Sequence, residues 1–255
     1  MYIHCVLPWL HMIKELKMPN TRFPKGVTNV KIGDTLGHMP VFDSSSVVRY
    51  FEDFSQHCDI MLATPTSHTV TLIGAGTVAF ATVSGGGGHL LITNAAADND
   101  QVSIQHKSES FKYVVNKPWS IKTKFRVSDA TQSDILVGVA ITDTTPLDAS
   151  DRIAFEKADG STTLSLKLTK NSTSTTVGST TLVDATDVVL GARYVPSKQA
   201  VEFLVNEVVV GSTTTLTNLC DDEELTPTIS LANGEAVAKT MTMDYIDVCF
   251  ARDVA

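Results

Sequence analysis

The sequence predicts an all-β protein, a two-sheet antiparallel sandwich standing behind an irregular N-terminal arm. From about Ser46 onward the chain is a succession of short apolar runs broken by Gly, Asp, Asn and Ser, the pattern of short strands joined by turns. Within those runs the period is two, clearest where Ile121, Thr123, Phe125 and Val127 alternate with Lys122, Lys124 and Arg126. Beyond the first 60 residues there is almost no helical periodicity, which argues against α/β architectures. A chain of 255 residues suits one large β domain with an appendage, and its prominent Thr and Val favour strands.

Residues 1–45 form the appendage. Pro8, Pro19, Pro24 and Pro40, with Gly26, Gly33 and Gly37, prevent a long helix or a central strand, and only Leu10 to Met18 suits a short helix. The segment is too apolar for a solvated tail, because Trp9, Ile13, Phe23, Ile32 and Leu36 need a dry surface. An arm that packs against something is expected: through those five residues it attaches to a partner or to a neighbouring copy, the alternative being that it folds back on its own sandwich. Residues 46–255 then form the sandwich. Leu164, Leu166 and Leu168, and likewise Val201, Phe203 and Val205, mark half-buried strands, whereas Ile135 to Ile141, apolar on both faces and carrying Gly138, reads as a central strand. Asp159-Gly160, Asn206-Glu207 and Asn233-Gly234 each read as a turn between paired strands, about a dozen strands in all.

A formal charge of -8 argues against a phosphate-binding surface, so nucleic acid is not an expected partner. Cys5, Cys58, Cys220 and Cys249 are scattered without metal or disulfide spacing and are expected to be free and mostly buried. No apolar run approaches the roughly 18 residues of a membrane span, and Met1 to Lys17 lacks the features of a secretion signal, so synthesis in the cytoplasm is expected.

The motifs that suggest chemistry fail on context. Gly74-Ala-Gly76-Thr-Val-Ala79, with Asp98 downstream, matches a dinucleotide fingerprint in form, but the run Val78 to Ser84 is β-rich where a phosphate-binding helix is required. Gly85 to Gly88 lacks the Lys-Ser/Thr of a phosphate loop and suits a hairpin tip or a close backbone approach. All seven histidines precede residue 107, with no ligand pair at helical spacing. Glu52-Asp53, Asp148 with Asp151, and Asp221 to Glu224 are the candidate paired carboxylates for glycoside hydrolysis. The first lacks the spacing of the laminarinase-like ExDxxE strand motif, and the last reads as a solvated loop. Asp143, Asp148 and Asp151 are a weak calcium candidate. No GxSxG occurs. The residues therefore predict no enzyme and no cofactor.

Several runs together carry a resemblance. Tyr50-Phe-Glu-Asp-Phe54, Gly76-Thr-Val, Leu90-Leu-Ile-Thr93, Ile121 to Val127, Val137 to Asp143, Asp151 to Lys157 and Val237 to Val248 resemble phage structural proteins built on a concanavalin- or laminin-G-like jelly-roll sandwich. It covers about residues 46–250. The resemblance implies a virion protein on the capsid surface that decorates or cements the shell, with the major capsid protein as the arm's partner, dimers or trimers of its own, and no membrane contact. Related sandwiches also bind sugars or act as glycosidases, so a carbohydrate-binding fibre or adhesin module is the alternative.

Overall fold

The computed structural model describes residues 46–55, 59–61, 64–82 and 88–252; the proposed arm, 1–45, lies outside them. Of the described residues 58% are in strands and 4% in helix. In chain order the strands are β1 (Val47–Glu52), β2 (His68–Ile73), β3 (Gly76–Thr82), β4 (Gly88–Asn94), β5 (Gln101–His106), β6 (Trp119–Val127), β7 (Ser133–Ala140) and β8 (Arg152–Lys157). They continue as β9 (Thr163–Lys170), β10 (Thr173–Thr181), β11 (Val188–Val195), β12 (Ala200–Val205), β13 (Val208–Thr213), β14 (Thr226–Asn233) and β15 (Thr240–Ala251). One sheet runs β13-β12-β11-β6-β15-β4-β3, with β1 also on β15, and the other runs β10-β9-β8-β7-β14-β5-β2. Every described pairing is antiparallel.

The core lies between the sheets and is built by the period-two residues. Ile121, Phe125 and Val127 of β6 meet Leu164, Leu166 and Leu168 of β9 and Val201 and Phe203 of β12 in one buried cluster. At one end Trp119 stacks on Phe250, ring centroids 5.6 Å apart, and Phe111 sits edge-on to Phe250 at 5.5 Å. β7 is the middle strand of its sheet, as its two-sided apolar pattern predicts.

Turn chemistry is borne out at two positions. Asn206 and Glu207 both take positive φ, 46° and 73°, and join β12 to β13 as a two-residue hairpin. The Asp159-Gly160 loop joins the paired strands β8 and β9. Asn233-Gly234 differs: β14 and β15 belong to opposite sheets, so this turn opens a crossover and not a hairpin. Gly74, with φ +75°, likewise turns the chain from β2 in one sheet to β3 in the other. Gly88 starts β4 directly beneath the Phe54 carbonyl, the close approach expected of the glycine run, whose remaining residues lie outside the described ones.

Cys220 and Cys249 are free and buried, and Cys5 and Cys58 lie outside the described residues. Burial pushes the Cys220 thiol up to about 12 and the Cys249 thiol up to about 11, so both stay protonated and unreactive near neutral pH.

Candidate functional site

Two polar assemblies stand out, and both are made by residues far apart in sequence. The first covers the outer face of the eight-stranded sheet. β1 lies along β15 so that Arg49 is opposite Cys249 and Phe51 opposite Asp247. The Arg49 guanidinium donates two hydrogen bonds of 2.9 Å to the Asp247 carboxylate, and the same guanidinium sits 5.3 Å from the centroid of the Phe51 ring. Phe51 is 52% exposed, a large aromatic presented on an open sheet face. Beside this pair Lys122 donates to Glu207 at 2.9 Å and approaches the Tyr245 ring at 6.0 Å. Lys122 is outward-facing, as the alternation predicts, yet buried. Further along, Lys124 donates to Asp244 at 2.8 Å, and Asp187 lies near both Lys124 and Arg126. The hydrogen bond to Asp244 raises the Lys124 pKa against a smaller burial effect.

The second assembly links the sheets where β1 and β2 meet. The Tyr50 hydroxyl lies 3.0 Å from His68 Nε2, and His68 Nδ1 lies 3.3 Å from Asp59 Oδ2, in a hydrogen-bonded chain. His106 packs edge-on against both rings, 5.2 Å from His68 and 5.8 Å from Tyr50. Asp59, in the short 3-10 helix Asp59–Met61, accepts from the Thr66 amide and hydroxyl, the Ser67 amide and hydroxyl and the His68 amide. Those bonds, the Thr66 hydroxyl's first, hold its carboxyl far below the usual carboxylate range.

His68 is only 6% exposed, and burial lowers its pKa from the ordinary 6.5 against the opposing pull of Asp59. His106 and Lys107 add to the lowering. The unfolded chain therefore binds this proton more readily than the folded one. The resulting stability is fully present above the unfolded pKa of 6.5 and is lost as pH falls through the depressed folded value. Thermal unfolding of the wild type is expected to shift to lower temperature between pH 7 and pH 5. His68→Gln, less stable at pH 7, should show a shallower dependence, and an equal slope in both proteins would exclude His68 as the source.

The residues nominated from sequence are placed as follows. Asp143 accepts from the Thr145 amide at 2.9 Å, Asp151 accepts from the Asn171 amide at 2.9 Å and the Ser150 hydroxyl at 2.7 Å, and Asp148 ends the 3-10 helix Pro146–Asp148. Among the described residues no three His, Cys, Asp or Glu are grouped so as to hold a metal ion. Glu52 accepts from the Phe54 amide and Asp53 from Ser55, both local turn bonds. Asp221 and Asp222 pair with Lys170, and Glu224 with Lys112. Trp9, Ile13, Phe23, Ile32 and Leu36 lie outside the described residues. Sequence reading missed the Tyr50–His68–Asp59 chain and the Arg49–Asp247 pair. No spacing announces them, since Arg49 and Asp247 are 198 residues apart.

No protein-family model matches the chain, and no curated protein is significantly similar to it in sequence. The fold is shared with solved structures. A protein of unknown function from Shewanella oneidensis MR-1 is 13% identical, with a TM-score of 0.59 over 90% of this chain and 98% of that one. Peanut lectin is 10% identical, with a TM-score of 0.53 over 82% of this chain and 99% of its own. An endo-1,3-beta-glucanase from Streptomyces sioyaensis is 12% identical, with a TM-score of 0.52 over 81% and 97%. At such identities the likeness establishes the fold alone, and the described chain is a concanavalin- and lectin-like antiparallel β-sandwich.

Proposed function

We propose that this protein is a non-enzymatic virion structural protein that decorates or cements a bacteriophage capsid shell. The observation that carries this reading is how the surface is finished. Charges on the outer face of the eight-stranded sheet are paired within the chain, and the carboxylates nominated for catalysis are engaged in turns and ion pairs. Four edge strands, β2, β3, β10 and β13, by contrast, carry no Asp, Glu, Lys or Arg, and Leu72 and Ile73 of β2 and Val208, Val209 and Val210 of β13 are exposed; β1, on β15, carries Arg49 and Glu52. A surface that is chemically quiet on its face and unguarded at its edges suits lateral contact more than turnover. The resemblance of residues 46–250 to phage structural proteins points the same way. In this reading the arm, through Trp9, Ile13, Phe23, Ile32 and Leu36, is the attachment to the major capsid protein, and copies gain from repeated weak contacts.

A carbohydrate-binding fibre module is the second reading, favoured by one observation: the exposed Phe51 ring beside the Arg49–Asp247 pair, an apolar face flanked by hydrogen-bonding groups. Electron microscopy of particles with and without the protein separates the two. Decoration expects density spread regularly over the shell, and a chain lacking residues 1–45 should remain folded but bind empty capsids much more weakly. Density confined to a tail, with glycan-array binding abolished by Phe51→Ala, would replace decoration with adhesion.

A further inference from the structure

We infer that β13 is a self-association edge, on which a second copy of this chain pairs strand to strand about a twofold axis. This pairing requires no capsid and stands whether the protein decorates a shell or binds a sugar. β13 ends the eight-stranded sheet, and its described pairing is with β12 on one side. Among the described residues no strand lies on the far edge, whose backbone N–H and C=O groups run in a row that another strand would satisfy in register. Soluble sheet proteins guard such edges with Lys, Pro or inward-pointing charges. β13 reads Val-Val-Val-Gly-Ser-Thr and has none of these. Val208, Val209 and Val210 are 64%, 43% and 49% exposed. The register shift opposite Phe203 and Leu204 leaves Val210 as an extra residue, a bulge that interrupts the ladder there and adds a third exposed valine to the edge.

Charge selects a second copy as the occupant. The whole chain carries -8, so copies repel wherever acidic groups face one another. Twofold antiparallel pairing sets this strand against itself, and it contributes only β-branched and small uncharged side chains. The nearest acid, Glu207, is engaged by Lys122. The second tier of the same flank is equally uncharged. Gly178 of β10 and Gly211 of β13 approach so closely that a Cβ on Gly211 would lie 2.7 Å from Gly178 Cα, which brings β10, a strand of Thr, Ser, Val and Gly only, beside β13. Six paired residues span about 20 Å, and two tiers lie about 10 Å apart, so the edge footprint is roughly 200 Å² against about 800 Å² per partner in a standard interface. The dimer is accordingly reversible in solution and strengthened wherever many copies are held side by side.

Sedimentation of the full chain over a concentration series tests this. The wild type should show a monomer–dimer equilibrium, Val210→Lys should weaken it about tenfold or more, and Ala79→Lys on the opposite edge strand β3 should leave it unchanged. A wild type that stays monomeric up to about 1 mM overturns the pairing. So does a dimer indifferent to Val210→Lys, or one broken by Ala79→Lys. If Val210→Lys does not fold, amide hydrogen exchange of the wild type decides: protection over 208–213 that rises with concentration supports the pairing, and unchanged protection rejects it.

Discussion

Alanine at position 138 is expected to cost about 3 kcal/mol of stability, and valine to prevent folding. Gly138 lies in β7, the middle strand of the seven-stranded sheet, opposite Ala154 on β8 and Thr228 on β14. A Cβ there would lie 2.3 Å from the Ile153 carbonyl oxygen and 2.7 Å from Ala154 Cα. Both are backbone atoms of a strand held on its other side by β9, so neither moves without breaking ladder hydrogen bonds. No rotamer of a flexible neighbour absorbs the clash, which places the cost at the upper end of the usual overpacking range. Chemical denaturation measures it. A loss below about 0.5 kcal/mol for Gly138→Ala, within the range of inconsequential surface changes, would show that β7 and β8 separate easily and that Gly138 does not pair with Ala154.

Gly138 also shows what the sequence makes legible. A glycine inside an apolar run signals a close backbone approach, because the pattern around it already fixes a buried strand. Period-two alternation identified β6, β9 and β12 for the same local reason. The Asn206-Glu207 hairpin was readable because β12 and β13 are neighbours in both sequence and space. Asn233-Gly234 was misread for the opposite reason. The same turn chemistry serves a hairpin and a crossover, and the choice is made by groups elsewhere: Asn94, 139 residues away, meets Asn233 across the interior. The polar assemblies were illegible on the same grounds. Tyr50, Asp59, His68 and His106 come from four elements, β1, the 3-10 helix Asp59–Met61, β2 and β5, and their contacts exist only once β1 has joined one sheet and β2 and β5 the other. Lys122 was legible as outward-facing but not as buried, since its burial depends on non-local packing at the sheet face.

The crossover at Asn233 leads to the other large effect. Replacing Asn233 with alanine should cost about 3 to 5 kcal/mol, more than its small volume suggests. The side chain is fully buried. Its Nδ2 donates to the Ala95 carbonyl at 2.6 Å and the Ala97 carbonyl at 2.8 Å, while its Oδ1 accepts from Asn94 Nδ2 at 3.1 Å and from the Lys239 amide at 3.2 Å. Asn94 Nδ2 donates in turn to the Asp100 and Leu231 carbonyls, both at 3.0 Å. One amide thus ties the 95–100 loop to the end of β14 and to the segment that crosses to β15. Alanine removes four hydrogen bonds at once, those to the Ala95 and Ala97 carbonyls and those from Asn94 Nδ2 and the Lys239 amide; the last two are buried, and each buried group left unsatisfied costs about 1–3 kcal/mol. Asn233→Asp keeps the shape but loses both donors and buries a charge, so it should be at least as damaging. Asn94→Ala removes the partner side of the same network, and the double variant should lose less than the sum of the singles, because the shared bond is counted once. Hydrogen exchange adds the location: protection should fall first over residues 95–100 and 234–239, with β8 and β9 unaffected until global unfolding. A cost under about 1 kcal/mol for Asn233→Ala, with additive double-mutant energies, would mean that water fills the vacated space and that the crossover is held by its backbone bonds, Asn233 N–H to the Asp100 carbonyl and Gly234 N–H to the Gln132 carbonyl.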